Sequence, residues 1–195
     1  MPDAERTVIA QANVTMDGMT AGPDGDLSWL IEHAVHPQMS AYAEGIWRGA
    51  STAVMGRTNY EGFHGYWPPV AADPEAAPRD RAVASWLDEV EKVVFSRTLE
   101  EATWRNARVA RDVEAEVRAL KRAPGRDILV LNSASIIQAL LRADLLDELR
   151  LNLLPTVAGG GLRLLDESLP PSAWQLVGAL TLESGGVALH HRRLR

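Results

Sequence analysis

Cysteine is absent from the 195-residue sequence. That excludes Cys-ligated zinc, iron–sulfur clusters, a thiol nucleophile and any disulfide framework. No 18-residue apolar run occurs, so no segment is expected to span a membrane. A basic excess is missing as well. Lys and Arg number 20 against 26 Asp and Glu, a formal net charge of −6, which argues against a dedicated nucleic-acid binder. Neither GxGxxG nor GxxxxGK(S/T) nor GxSxG is present, so neither the common dinucleotide fingerprint, a P-loop nor a nucleophile elbow can be invoked. The opening residues Met1-Pro2-Asp3-Ala4-Glu5-Arg6 show no basic stretch leading into an apolar run. A secretory leader is therefore not expected, and a cytoplasmic protein is.

What is there is a globular composition: 46% apolar and 24% charged residues, which fits one domain over 1–195 with a sizeable core. The pattern alternates strands and helices. Apolar, β-rich runs predict strands at Thr7–Met16, Thr52–Gly56, Lys92–Ser96, Arg108–Ala110, Asp127–Leu131 and Leu149–Val157. Pro155 is expected to push the end of the last of these toward an edge or a bulge. Helical spacing covers Ser40–Arg48, Arg81–Glu89 and Asp112–Arg122. In the last, Val113, Val117 and Leu120 share a face and Glu114 pairs with Arg118. Asn132-Ser133 caps a further helix with Ile136, Ile137, Leu140 and Leu141 on its apolar face. Asp17–Asp26 reads as a long Gly-rich loop. Gly65–Asp80, with Pro68, Pro69, Pro74 and Pro78, reads as irregular surface. Trp174–Leu182 and Val187–Arg193 form a hairpin around Glu183-Ser184-Gly185-Gly186. The fold class is α/β: a mostly parallel central sheet with flanking helices and an antiparallel C-terminal edge.

Three strand ends carry residues suited to phosphate. Met55-Gly56-Arg57-Thr58-Asn59 and Leu131-Asn132-Ser133-Ala134-Ser135 are strand-to-helix turns, and helix N-termini offer free N–H groups at the positive end of a dipole. Ser96-Arg97-Thr98 ends a third strand. Arg57 and Arg97 are cations of the type that meets phosphate in a planar, bidentate way. Taken singly, each of these is also what an ordinary capped turn or a solvated arginine looks like. Asp17, Asp24 and Asp26 crowd one loop, where a carboxyl group can hold a proton or simply form a turn. His33 and His36 have helical spacing but no further ligand nearby, so no metal is expected. His190-His191-Arg192-Arg193 reads as edge decoration. Of the six tryptophans, Trp47, Trp86, Trp104 and Trp174 read as core, while Trp29 and Trp67 adjoin loops and are candidates to line a pocket.

Six segments occur in a telling order: Asn13–Gly18, Gly22–Leu30, Met55–Glu61, Val94–Leu99, Leu145–Leu151 and Pro155–Leu165. Together they resemble the dihydrofolate reductase superfamily. The branch they resemble most contains the C-terminal reductase domain of the bifunctional riboflavin-biosynthesis deaminase/reductase. The resemblance implies a dihydrofolate reductase-like sheet with NADPH bound across strand ends. It assigns Gly56, Arg57 and Asn59 to cofactor phosphate and Ser96 and Arg97 to the adenosine phosphate. Asn132, Ser133, Ala134 and Ser135 fall at the pyrophosphate, and Gly160 at the cofactor. The riboflavin branch places Asp17 at the substrate; dihydrofolate reductases proper place Asp26 there, followed by Trp29. Two branches thus nominate different carboxylates. Asn59 stands where the branch usually has Thr, and Asn132 where it usually has Gly. Asn tolerates left-handed backbone, but its side chain occupies room.

The activity so implied is an NADPH-dependent reductase. Hydride passes to a small pterin-like or aminopyrimidine-like heterocycle, on the pattern of 5-amino-6-(5-phosphoribosylamino)uracil reductase, with Asp17 or Asp26 as the catalytic carboxylate that fixes the substrate and assists its protonation. The resemblance also implies a homodimer. The other reading is a nucleotide- or ligand-binding protein on the same fold without catalysis, since a fold does not fix its function. Neither nucleic acid nor membrane is an expected partner.

Overall fold

The computed structural model describes residues 5–195. Most of the Met1–Arg6 segment that carried the expectation about a leader lies outside that range. Eight strands form one sheet in the order β5-β4-β3-β6-β1-β7-β10-β9. They are β1 (Val8–Thr15), β3 (Ala50–Gly56), β4 (Glu91–Phe95), β5 (Ala107–Ala110), β6 (Asp127–Leu131), β7 (Glu148–Leu154), β9 (Ala173–Thr181) and β10 (Val187–Leu194). The first six are mutually parallel, and β10 runs antiparallel to both β7 and β9. A small second sheet pairs β2 (Met19–Ala21) with β8 (Leu162–Arg163). The mostly parallel sheet with an antiparallel edge is the architecture the sequence pattern implies.

Helices cover both faces, which is why the parallel strands read as continuous apolar runs. On one face, α5 (Val113–Arg122) and α6 (Ala134–Arg142) pack over Val8, Ala10, Ala12 and Val14 of β1. On the other, α2 (Pro37–Trp47), α3 (Arg57–Ala72) and α4 (Pro78–Glu89) cover Ile9, Met55, Val94, Leu129 and Leu131. A short α1 (Ser28–Ala34) precedes α2. Lys92 is fully buried on β4. Its ammonium donates to the carbonyls of Leu87 (2.5 Å) and Val90 (2.9 Å), closing the end of α4. Burial pushes its pKa down to about 8.

Several local expectations need correction. Gly65–Asp80 is not irregular throughout: α3 runs through Pro68 and Pro69 to Ala72. Proline removes a helical hydrogen bond, but Tyr60, Phe63 and Trp67 recur at helical spacing and pack on the core. That tertiary burial holds the helix on course. Pro155 does not mark an edge, because β7 lies between β1 and β10 and ends just before it at Leu154. His190–Arg193 are not edge decoration either. β10 is an inner strand, and His190 faces the Glu148 carboxylate at 3.0 Å. The edge is β9. The Asp17–Asp26 loop contains β2 and a 3-10 turn over Pro23–Gly25.

Candidate active site

Because β1, β3, β4, β6 and β7 are parallel, their carboxyl ends lie together, and this is where open α/β sheets bind ligands. Gly56 ends β3 and stands at the N-cap of α3; Ser133 follows β6 and stands at the N-cap of α6. Neither helix start has a side-chain cap, which they share with α1 and α4, whereas α2 and α5 are capped by His36 and Asp112; what sets α3 and α6 apart is that they start at the carboxyl ends of adjacent parallel strands. The first-turn N–H groups of α3 and α6 are therefore left for another acceptor.

One hydroxyl ties the two turns together. Ser133 Oγ is buried, accepts from the Gly56 N–H (3.1 Å) and from Asn59 Nδ2 (3.1 Å), and donates to the Leu131 carbonyl (2.8 Å). Asn59 Nδ2 also donates to that carbonyl at 2.8 Å. The Asn59 amide is thus committed inward, bridging β6 and α3. Asn132 has φ 43°, in the left-handed region that Asn tolerates. Its Oδ1 accepts from the Asn13 N–H of β1 at 2.9 Å. The side chain is engaged with the neighbouring strand at the point where a second ladder bond would otherwise form.

Arg57 is half-exposed and pairs with Glu61 one turn along, both contacts at 3.1 Å. Ser96 Oγ accepts from the N–H groups of Thr98 (3.1 Å) and Leu99 (2.9 Å), which folds the turn after β4 and leaves Arg97 exposed. Arg111, just past β5, donates to the Ser96 carbonyl. Sequence reasoning missed Arg111, whose placement depends on β5 lying beside β4. Ala134 is buried in the first turn of α6 and Ser135 is exposed there.

The two nominated carboxylates occupy different settings. Asp17 accepts from Thr15 Oγ1 (2.6 Å) and from the N–H groups of Ala158 (3.0 Å) and Gly159 (2.8 Å). It thereby clamps the loop after β1 to the loop after β7. The Thr15 hydroxyl first, then the Ala158 N–H, hold its pKa down at about 2. Asp26 is exposed and accepts from the Ser28 N–H and hydroxyl, both at 2.9 Å, which lower its pKa. Gly160 is half-buried next to the clamped turn. Gly161 has φ 122°, and a Cβ there would lie 2.1 Å from the Ala21 carbonyl oxygen. Only glycine lets this backbone approach β2. Trp29 donates its indole N–H to the Asp26 carbonyl (3.2 Å) and packs beside Met39 and Leu154.

A cleft of about 180 Å³ opens between α2, α3, α4 and the sheet. Its walls are aromatic, with Trp47, Phe63, Trp67 and Trp86; its floor is carboxamide, with Gln11, Asn13, Asn132 and Asn152. Trp67 is where the sequence placed a pocket residue. Asp17, Asp26 and Trp29 do not line this cleft. The floor was missed because its members are distant in sequence; register brings Asn13 and Asn152 opposite each other. A signal was available. On the inward face of β1, the series Ile9, Gln11, Asn13 turns polar inside an otherwise apolar strand, and a buried polar residue is more informative than another apolar one. Among the described residues, no group of three or more His, Asp or Glu side chains stands where it would hold a metal, and no helix is long and apolar enough to cross a membrane.

Comparison with known proteins gives these features a family. The profile of the RibD C-terminal domain matches residues 6–188, and the chain belongs to that family. It is 28% identical over 185 residues to the uncharacterized protein YyaP of Bacillus subtilis, covering 95% of this chain and 94% of that one. It is 25% identical over 191 residues to the uncharacterized protein YwjB of the same organism, covering 97% and 99%. A solved putative riboflavin biosynthesis protein from Shewanella superposes with TM-score 0.68 at 20% identity, over 97% of this chain and 99% of that chain. The Thermotoga maritima diaminohydroxyphosphoribosylaminopyrimidine deaminase/5-amino-6-(5-phosphoribosylamino)uracil reductase superposes with TM-score 0.65 at 16% identity, over 97% and 57%. Dihydrofolate reductase from Enterococcus faecalis, complexed with NADP(H) and RAB-propyl, superposes with TM-score 0.63 at 15% identity, over 97% of each chain. These likenesses establish a dihydrofolate reductase-like fold.

Proposed function

From that membership as premise, we propose that the protein is an NADPH-dependent reductase of a small pterin-like or aminopyrimidine-like heterocycle. The observation that carries this reading is the pair of uncapped helix starts at Gly56 and Ser133, joined through one hydroxyl beside an aromatic cleft. Two such N-termini suit the paired phosphates of a dinucleotide. The Asn59 and Asn132 amides bond inward to Leu131, Ser133 and Asn13, which keeps them compatible with a cofactor on the outer side of the turns.

Bound NADPH would supply the hydride, and the protein supplies placement and electrostatics. The main-chain N–H groups at Gly56–Asn59 and Ser133–Ser135 would hold the pyrophosphate. Arg97, with Arg111 bracing the same turn through the Ser96 carbonyl, would hold the 2′-phosphate, and Arg57 would add a second cation to the cofactor phosphates. The aromatic cleft holds the heterocycle flat. In this reading Asp17 orders the Ala158–Gly160 turn at the mouth of the site, and Asp26 with Trp29 shapes the loop ahead of α1. Single-domain organisation over 1–195 and a cytoplasmic setting go with the same reading. A homodimer does too, because the β9 edge exposes Leu176 (54%), Val177 (43%) and Leu180 (39%), more apolar surface than an open sheet edge usually leaves bare.

The test is nucleotide binding followed by calorimetry, with NADH as control. Saturable micromolar binding that favours NADPH is expected, and Arg97→Ala should remove the preference while leaving NADH affinity in place. Failure of both nucleotides to bind would overturn the reductase reading in favour of a ligand-binding protein on this fold.

A further inference from the structure

The cleft floor contains a group that the fold leaves unanswered. Asn152 is fully buried on β7. Its amide NH₂ donates to Asn13 Oδ1 at 2.8 Å. Its carbonyl oxygen, on a residue that lines the cleft, has no hydrogen-bond partner among the described residues. Buried polar atoms are almost always paired, so each exception calls for an explanation. Two more exceptions stand in the same place: the indole N–H groups of Trp47 and Trp86 are buried without acceptors, and both rings line the cleft. Their ring centres are 5.3 Å apart. Among the described residues the walls of the cleft thus contain one unpartnered acceptor and two unpartnered donors, in a lining that also carries Glu44, Arg79 and Asp80. A flat ring with an N–H beside a C=O, the lactam edge, matches that pattern.

We propose that Asn152 is the residue that selects the substrate, its side-chain carbonyl accepting a hydrogen bond from a lactam N–H on the heterocyclic ring. The Asn13 amide holds Asn152 in place, and the indoles of Trp47 and Trp86 meet the adjacent carbonyl oxygen. This rests on the cleft being the substrate pocket of the reductase. It goes further in naming the ring edge that is read and the residue that reads it. A ring whose lactam nitrogens carry methyl groups keeps the stacking face but replaces the donor by a bulkier methyl, so it leaves Asn152 unpaired, and the Asn152→Leu comparison separates that loss from simple bulk. Sites built around such a bond reject analogues that lack it.

The probes are 5,6-diaminouracil and 5,6-diamino-1,3-dimethyluracil, titrated by calorimetry with and without NADPH. The wild-type protein is expected to prefer the unmethylated ring by about tenfold or more, the scale of one lost buried hydrogen bond. Asn152→Leu should bind the two rings equally. Equal binding of both by the wild-type protein, binding of neither in either state, or a preference that survives in Asn152→Leu would overturn the proposal. Should Asn152→Leu fail to fold, Asn152→Ala is read in its place, and a ring preference that survives there would equally overturn the proposal. NADPH affinity is read in the same samples, so loss of cofactor binding with intact ring selection would sink the reductase reading alone.

Discussion

Replacing Ser133 by alanine isolates the knot between the two turns. The substitution removes one buried oxygen and three hydrogen bonds, at 2.8, 3.1 and 3.1 Å. The three partners are not equally hurt. The Leu131 carbonyl keeps Asn59 Nδ2 at 2.8 Å, and Asn59 keeps the Leu131 carbonyl. The half-buried Gly56 N–H is stranded, and one of the two Asn59 amide protons loses its acceptor on a side chain that is itself only half-buried. The loss should therefore match one unsatisfied buried donor, about 1–2 kcal/mol, rather than three bonds. For a domain of this size that lowers Tm by roughly 3–6 °C. Asn59→Ala alone should cost little more, since Ser133 still serves the Leu131 carbonyl. The double variant strips that carbonyl of both side-chain donors. Its loss should exceed the sum of the singles by about 1 kcal/mol. Urea unfolding of the four proteins supplies the cycle. Ser133→Ala within about 0.5 kcal/mol of wild type, where ordinary surface changes fall, or strict additivity in the cycle, would refute this account of the junction.

Gly161→Ala should cost about 2–4 kcal/mol, because its Cβ meets the Ala21 carbonyl oxygen at 2.1 Å at φ 122°. Gly160→Ala, with open space around it, should be near neutral; similar thermal melts for the pair would contradict the packing of β2 on β8. Asp17 is held at about 2, below its ordinary 3.8, so its contribution is complete above the upper value and is lost as pH falls through the lower one. Asp17→Asn should accordingly flatten the acid limb of a circular-dichroism titration across that window, and an unchanged limb would show that the Ala158–Gly159 clamp adds nothing. If β9 is the dimer edge, Leu176→Lys should shift sedimentation from dimer to monomer, and a wild-type monomer at micromolar concentration would end that reading.

The sheet was legible because its parallel strands are buried on both faces and so spell short apolar runs, as at Asp127–Leu131. The turns were legible for a related reason: strand ends that must bend sharply into helices use Gly56, Asn132 and Ser133. Pro68 and Pro69 misled because local breaking rules say nothing of three aromatic side chains anchoring the same helix. The position of His190–Arg193 was misjudged since sequence order cannot tell that β10 inserts between β7 and β9. The cleft was illegible in a stronger sense. Asn13 and Asn152 meet only through strand register, Trp47 and Trp86 reach the slot from separate helices, and no local pattern encodes either fact.

The carboxamide floor also bears on how this protein responds to engineering. Asn152 sits at 0% exposure with an oxygen that none of the described residues satisfies, and the side chain of its opposite number Asn13 is paired to it. Leucine at 152 would remove that unpaired oxygen but leave Asn13 Oδ1 without its donor, so one lone acceptor replaces another and thermal stability gains nothing from the exchange. A screen ranked by melting temperature would be nearly blind to this position, whereas recognition in the cleft depends on it.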